Sequence, residues 1–317
     1  MRFVPVATHR RGYCQQVTSN AQLFILAMDY RNSLLKKLYR LDGDPTIEQI
    51  ALIGEHKQLI FNGLLQAIEG GVNVSRVAVL VDERYGASVA VRARAAGIQL
   101  GMPIERSGET LFLLDYGNFG DGQWLRHVEE FGPAVVKVLV RDNPLASTNR
   151  MLQFDRLISV SEMVRRSGRT FLLELEVAPT PAQLKSVEFD LLRYDCELRA
   201  ELTVTLIETL QDEGIEPHLW AIAGPESDSD ARALVAAARR DGRTAVSLLV
   251  GDRNATRSRL QHRLEVARAV DGFGGFAIGT TVWEEPLAAL LAGTAMADDL
   301  VAAVAANFTE LLRHWHP

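Results

Sequence analysis

The feature that most constrains the fold is a series of eight short apolar runs, separated by segments of helical character. Each run is rich in Val, Ile, Leu and Phe and ends at a polar residue or a glycine turn. The runs lie at Leu23–Asp29, Val77–Asp82, Ile98–Glu105, Val135–Val140, Phe171–Val177, His218–Ala223, Ala245–Gly251 and Gly275–Gly279. Because they show little polar alternation, they suit strands of a parallel sheet covered on both faces.

Apolar residues at helical spacing predict helices between several of these strands. The helical segments are Ile47–Glu69, Gly122–Phe131, Asp155–Ser167, Glu197–Glu213 and Asp228–Asp241. Strand–helix alternation without a change in composition predicts one α/β domain. The 317 residues suit a single (β/α)8 TIM barrel, which needs about 250. A doubly wound sheet is the alternative, but we find no glycine-rich dinucleotide turn that supports it.

Two parts of the chain are less clearly determined by the pattern. The segment Thr110–Tyr116 is as apolar as Ile98–Glu105 and is either the third strand or an extra element. Residues 1–20 resemble an N-terminal arm or a cap on the bottom of the barrel. The sequence therefore predicts the barrel over residues 21–317.

Composition limits the partners and the compartment. A formal net charge of −6 gives no basic surface for nucleic acid. Two cysteines, Cys14 and Cys196, cannot form a disulfide framework, and without a secretory segment they indicate the cytoplasm. The apolar stretch from Leu287 to Ala306 is interrupted by aspartates, so no membrane span is predicted. The histidines and cysteines lack metal-ligand spacing, so we predict no metal and no cofactor, while a homo-oligomer remains open.

Polar residues at the carboxyl ends of the strands are the candidates for chemistry, because the active sites of TIM barrels lie there. Lys137 is the one lysine within an apolar run, and Glu174 and Glu176 lie on the next strand. A lysine and a glutamate on neighbouring buried strands cost several kcal/mol unless they pair. They are either a proton-transfer site or a structural ion pair. Asp29 and Asp82 also end strands, but an aspartate at that position often caps the next helix.

Five segments resemble those of tagatose-1,6-bisphosphate aldolases, a family of class I sugar-phosphate aldolases. The matching segments are Ala27–Leu34 (Ala-Met-Asp-Tyr-Arg-Asn-Ser-Leu), Leu80–Gly86 (Leu-Val-Asp-Glu-Arg-Tyr-Gly), Ile104–Gly108 (Ile-Glu-Arg-Ser-Gly), Val136–Leu139 (Val-Lys-Val-Leu) and Phe171–Glu174 (Phe-Leu-Leu-Glu). The C-terminal half is similar to the aldolase-like domain of inositol catabolism, associated with cleavage of 2-deoxy-5-keto-gluconate 6-phosphate. Its signatures are Glu216–Trp220 (Glu-Pro-His-Leu-Trp) and Gly275–Trp283 (Gly-Phe-Ala-Ile-Gly-Thr-Thr-Val-Trp).

The resemblance extends from about residue 23 to the C-terminus and implies a TIM barrel that acts on a sugar or a sugar phosphate. It implies catalytic roles for Lys137, Glu174 and Asp29. It further implies substrate-binding roles for Arg31, Asp82, Glu176, Trp220, Arg253, Gly251 and Gly279.

The chain departs from the family where covalent chemistry would occur. Ala221 occupies the position of the Schiff-base lysine, and Ala223 that of a neighbouring glutamate. An alanine cannot form an iminium ion, so the family mechanism is unavailable at position 221. Thr280 stands where an arginine of the relatives would face a phosphate, which favours a less phosphorylated ligand. Arg253 is a candidate replacement for that arginine.

Three hypotheses follow. In the first, the protein is an aldolase-like lyase acting on a ketose or ketose phosphate, with Lys137 as the amine. Loss of the side chains at Ala221 and Ala223 would then leave Lys137 in a drier pocket that keeps it neutral. In the second, the barrel is catalytically inactive and binds a sugar or sugar phosphate for regulation. In the third, Glu174 and Lys137 enolise or isomerise a ketose without a covalent bond.

Overall fold

The structure is a computed structural model that describes residues 22–120, 122–146, 150–253 and 255–316. Eight parallel strands follow one another in chain order around a closed barrel. They are β1 (Leu23–Ala27), β2 (Val77–Leu80), β3 (Gln99–Pro103), β4 (Val135–Arg141), β5 (Thr170–Glu176), β6 (Leu219–Ala223), β7 (Ser247–Gly251) and β8 (Phe273–Ile278). The single (β/α)8 TIM barrel is confirmed. The predicted arm at 1–20, with Cys14, lies outside the described residues.

Helices follow the strands and surround the barrel. They are α1 (Asn32–Leu34), α2 (Ile47–Glu69), α3 (Glu83–Ala95), α4 (Gln123–Phe131), α5 (Arg150–Arg166), α6 (Pro181–Ser186), α7 (Leu191–Glu197), α8 (Arg199–Asp212), α9 (Asp228–Ala238), α10 (Arg257–Arg268), α11 (Thr280–Leu291) and α12 (Ala297–Trp315). The sequence predicts α2 with the bounds that the structure shows. Within the described ranges, we find no helix long and apolar enough to cross a membrane.

The alternation of side chains along each strand produces two apolar layers. On β1, Leu23, Ile25 and Ala27 pack inside the barrel, while Phe24 and Leu26 pack outward in the layer beneath the helices. Both faces of the strand are therefore buried, which explains why its sequence is apolar without alternation. Burying each large apolar side chain contributes about 1.5–3 kcal/mol to stability.

Helix α2 shows how local sequence sets the outer layer. Its N-terminus is a capping box, in which Gln49 N donates to Thr46 Oγ1 at 3.3 Å and Thr46 N donates to Gln49 Oε1 at 2.8 Å. Farther along, Gly63 allows close contact with α12, since a Cβ at this position would lie 2.6 Å from Val304 Cβ. Helix α12 therefore packs closely against α2.

The apolar segment Thr110–Tyr116 is a loop, and β3 is the earlier of the two candidate runs. The loop folds back on the end of β3: Leu114 forms an isolated antiparallel bridge with Glu105, and Asp115 N donates to Ile104 O at 2.9 Å. Two apolar residues of the loop, Phe112 and Leu114, are buried in the layer outside the strands. The loop brings Asp115 to the carboxyl ends of the strands, here called the barrel mouth.

Candidate active site

Lys137 lies on β4 and extends its side chain into the barrel, where it contacts three carboxylates. Its Nζ is 2.9 Å from Asp29 Oδ2, 3.0 Å from Glu105 Oε1 and 2.9 Å from Glu174 Oε2. The Lys137 side chain is 4% exposed, whereas that of Glu174 is 28% exposed. An ammonium group has three protons to donate, so these three partners use its full capacity.

Strand geometry brings the four groups together. On neighbouring parallel strands, Lys137 pairs with Leu172 and Leu139 pairs with Glu174, so the interior positions of β4 align with those of β5. Asp29 and Glu105 each lie two residues beyond a strand end, which keeps them on the inner face. Closure of the barrel then places strands one, three, four and five around one point.

The pKa of Lys137 is raised above its ordinary value. Burial acts to lower this pKa, but the charges of Asp29, Glu105 and Glu174 outweigh burial and favour the ammonium form. This result is the opposite of the sequence-based expectation that a dry pocket keeps Lys137 neutral. The reason is that the sequence did not reveal how many carboxylates surround the amine.

Two of these carboxylates have pKa values displaced in opposite directions. Burial acts to raise the pKa of Glu174, but Lys137 and Arg253 lower it to about 2. For Glu105, burial dominates over the attraction of Lys137 and Arg31, and the pKa is raised. Carboxylates whose surroundings separate their pKa values are a common arrangement for acid–base chemistry.

Two arginines extend this network to either side. Arg31 donates to Asp115 Oδ2 at 2.9 Å and to Glu105 Oε1 at 3.3 Å. Its pKa is raised, because Glu105 and neighbouring acids outweigh the lowering effect of burial. Arg31 was predicted as a substrate-binding residue. In the structure it contacts Glu105 and Asp115.

Arg253, on the opposite side of the mouth, bridges two glutamates of β5. Its Nη2 lies 3.4 Å from Glu174 Oε1, and Nη1 forms an ion pair with Glu176. Glu176 also accepts from Arg141 Nε at 2.6 Å. The structure therefore brings together Arg253, Glu174 and Glu176, three of the residues that the sequence analysis names as site candidates.

Asp252 joins the end of β7 to the start of α11. Its Oδ2 accepts hydrogen bonds from Gly279 N at 3.2 Å, Thr280 Oγ1 at 3.1 Å and Thr281 N at 2.9 Å. Tyr30 OH lies 3.5 Å from its Oδ1. Gly279, a predicted site residue, therefore takes part through its backbone N–H, which donates to Asp252.

Ala221 and Gly251 lie in the wall of the barrel. Ala221 pairs in register with Glu174 and packs in the interior cluster of apolar side chains. Gly251 ends β7 between Ala223 and Ala277. Small residues therefore line this wall beside Glu174.

Asp82, predicted as a substrate-binding residue, contacts the helices around the barrel. Its Oδ2 accepts from Tyr85 N at 2.9 Å and caps α3, and its Oδ1 forms an ion pair with Lys57. Lys57 is 2% exposed and also donates to Met28 O at 2.7 Å. The carboxylate is therefore fully used in joining α2, α3 and β1.

Trp220, predicted as a substrate-binding residue, lies on the outer face of the barrel wall. It is fully buried in the layer between the strands and the helices. Successive residues of a strand point to opposite faces, and the neighbouring Ala221 points inward. The Trp220 side chain therefore lies on the opposite face of β6 from Ala221 and the barrel interior.

Sequence reasoning missed three residues of these contact networks: Glu105, Asp252 and Lys57. Glu105 ended the predicted third strand, and Asp252 directly followed the predicted seventh strand, so their positions at strand ends were the available signal. Lys57 gave no such signal, since a lysine on an amphipathic helix is ordinarily exposed.

Comparison with known proteins identifies a family and a shared fold. A family model described as "Uncharacterized protein conserved in bacteria (DUF2090)" matches residues 7–317. No curated protein matches the chain.

Three similar solved structures are described as aldolases. Fructose-bisphosphate aldolase from Plasmodium falciparum is 12% identical, with a TM-score of 0.61, covering 95% of this chain and 93% of that one. Fructose-bisphosphate aldolase from Slackia heliotrinireducens is 12% identical, with a TM-score of 0.53 and coverage of 90% and 86%. The YdjI aldolase from Escherichia coli K12 is 8% identical, with a TM-score of 0.53 and coverage of 94% and 92%. At these identities the likeness concerns the fold.

Proposed function

The chain belongs to the DUF2090 family, and we propose that it is an aldolase-like enzyme acting on a ketose. In this proposal, the enzyme removes a proton near the substrate carbonyl group without forming a covalent bond to the protein. The observation that carries the proposal is the contact of one buried ammonium, Lys137, with Asp29, Glu105 and Glu174 at 2.9–3.0 Å. The aldolases among the structural neighbours support a reaction of this class by analogy of fold.

The ammonium supplies the electrophile. When a proton leaves carbon beside a carbonyl group, negative charge develops on the carbonyl oxygen. A positioned ammonium in a buried site stabilises that charge strongly. The raised pKa of Lys137 keeps it in the required protonated form.

Glu174 is the group that a substrate can displace. It is the most exposed of the three carboxylates around Lys137, and Arg253 provides it with a second cation. A substrate carbonyl oxygen that takes its place on Lys137 would leave the Glu174 carboxylate beside the substrate. Losing the contact with Lys137 would also remove the main influence that lowers the pKa of Glu174. Glu174 would then become a stronger base at the moment when a base is needed.

The proton and the electrons balance in either outcome. Glu174 takes the proton from carbon, and the C–H electron pair forms the enolate, whose oxygen Lys137 stabilises. Transfer of the neighbouring hydroxyl proton to the enolate oxygen, and return of the carbon proton from Glu174 to the former carbonyl carbon, give the isomeric aldose. If Glu174 instead takes a hydroxyl proton, the adjacent carbon–carbon bond breaks, and an aldehyde leaves while the enolate forms.

A covalent route through Lys137 is the second candidate. The observation that favours it is the raised pKa of Glu105, because this carboxylate could accept a proton from Lys137 and free the amine. The charges of Asp29 and Glu174 oppose that transfer. The two routes differ in whether a carbon–nitrogen bond forms.

Solvent exchange tests the proposal. Incubation with dihydroxyacetone, D-fructose or D-tagatose in D2O should incorporate deuterium beside the carbonyl carbon, as measured by NMR. Lys137→Met should abolish the exchange, whereas Lys185→Met, on the exposed end of α6, should retain it. Borohydride treatment should leave the protein mass unchanged. An adduct at Lys137 would support the covalent route, and binding with neither exchange nor cleavage would identify an inactive barrel.

A further inference from the structure

The start of α11 is blocked by the protein's own carboxylate. In TIM barrels, a phosphate group frequently binds near the loops after strands seven and eight, at the N-terminus of a helix. Backbone N–H groups and the helix dipole favour an anion there. In this chain the anion is Asp252: its Oδ2 takes the two N–H groups of Gly279 and Thr281 and the hydroxyl of Thr280, at 2.9–3.2 Å.

The space beside these donors is also filled. Asp252 is 4% exposed. A Cβ at Gly279 would lie 2.4 Å from Ala27 O and 2.7 Å from the ring of Tyr30. That ring packs edge-on against Trp283, with centroids 5.5 Å apart. A phosphate on these donors would have to displace the Asp252 carboxylate, and the Tyr30 hydroxyl lies 3.5 Å from the other oxygen of that carboxylate.

The cations of the mouth do not compensate for this loss. Lys137 contacts three carboxylates, and Arg31 and Arg253 contact two each. A phosphate ester brings about two further negative charges at neutral pH. Bringing them next to Asp252 and these glutamates costs electrostatic energy, because each cation is already shared among carboxylates.

We infer that the ligand of this barrel is a polyhydroxy ketone without a phosphate group. Hydroxyl groups can donate to the carboxylates that dominate the mouth, whereas a phosphate can only accept. The inference rests on the proposed function for the choice of a ketose. The exclusion of phosphate depends on Asp252 and on the cations that the carboxylates of the mouth already share, and it does not depend on the reaction.

Dihydroxyacetone and dihydroxyacetone phosphate form a matched pair for testing the inference by calorimetry. The wild-type protein should bind the phosphate ester at least about tenfold more weakly, equivalent to about 1.4 kcal/mol. Asp252→Ala frees the three donors and should shift this ratio toward the ester by about tenfold or more. Tighter binding of the ester by the wild-type protein would overturn the inference.

Inorganic phosphate provides a test that does not depend on any reaction. It should raise the Tm of Asp252→Ala and leave those of the wild-type protein and of Asp190→Ala unchanged. Asp190 is the matched control because it also caps a helix, through Leu192 N and Arg193 N, but lies exposed at the start of α7. If Asp252→Ala does not fold, Asp252→Asn keeps an acceptor for the donors and removes the charge.

Equal stabilisation of the wild-type protein and the Asp252 variant by phosphate would contradict the inference, as would no response from either. Neither result would affect deuterium exchange into dihydroxyacetone. Conversely, an absence of exchange with every ketose would refute the proposed function and leave the phosphate result standing.

Discussion

Lys137 Nζ and Glu174 Oε2 lie 2.9 Å apart on neighbouring strands of the barrel. One of these groups is fully enclosed, and the other is open to the barrel mouth. This asymmetry gives the pair its proposed chemistry, since the enclosed ammonium stays fixed while a substrate can replace the carboxylate. In the proposed reaction, the contacts of Lys137 with Asp29 and Glu105 would hold the ammonium in position during that replacement.

Removing the charge of Lys137 should destabilise the fold. Lys137→Met leaves Asp29, Glu105 and Glu174 close together without their shared cation. We expect the free energy of unfolding near neutral pH to fall by about 3–5 kcal/mol, as measured by urea denaturation. The deficit should shrink in acid, where the carboxylates are protonated. Lys185→Met should be neutral, and equal stability of the two variants would contradict this account.

Glu174 and Glu176 offer a comparison between two glutamates on one strand. Glu174→Gln removes the proposed base and should lower the exchange rate about 10²-fold or more. Glu176→Gln should affect mainly KM, because Glu176 pairs with Arg141 and Arg253 rather than with Lys137. Steady-state deuterium incorporation measures both variants. A larger loss of kcat in Glu176→Gln than in Glu174→Gln would show that Glu174 is not the base.

Acid stability should report the lowered pKa of Glu174. A carboxylate whose pKa is lower in the folded state stabilises the protein above its ordinary pKa, and this contribution is lost as the pH falls toward the folded value. For Glu174 that window runs from 4.5 to about 2. Thermal denaturation across this range should show a steeper loss of Tm in the wild-type protein than in Glu174→Gln. Parallel curves would indicate that Glu174 is not stabilised by Lys137 and Arg253.

The Lys57–Asp82 pair should behave as a structural unit. Lys57→Met leaves a buried carboxylate without its cation and should cost about 3–5 kcal/mol. Asp82→Asn in the same protein removes that charge and keeps an acceptor for Tyr85 N, so the double variant should recover part of the loss. A double-mutant cycle by urea denaturation measures the coupling. Strict additivity of the two changes would show that the ion pair contributes nothing.

Much of the barrel could be predicted from sequence because its signal is local. Parallel strands covered on both faces are continuous apolar runs, and α2 begins at a capping box that can be recognised from Thr46 and Gln49. The pairing of Lys137 with Glu174 was also predictable, since the two lie on consecutive strands.

The remaining contacts depend on closure of the barrel or on side-chain direction. Asp29 and Glu105 reach Lys137 from strands one and three, and no local pattern gives that distance. Asp252 follows β7 but contacts α11, which follows the next strand, β8. The outward position of Trp220, by contrast, follows from strand alternation relative to Ala221.

The central claim is that Lys137 works as an ammonium ion, and its protonation state can be measured directly. The chain has five lysines, so selective ¹⁵N labelling gives a simple NMR spectrum of Nζ groups, and Lys137→Arg assigns the signal. We predict that Lys137 remains protonated through its ordinary pKa of 10.5, because three carboxylates surround it. A Lys137 signal that titrates below 10.5 would contradict the account and favour an amine nucleophile.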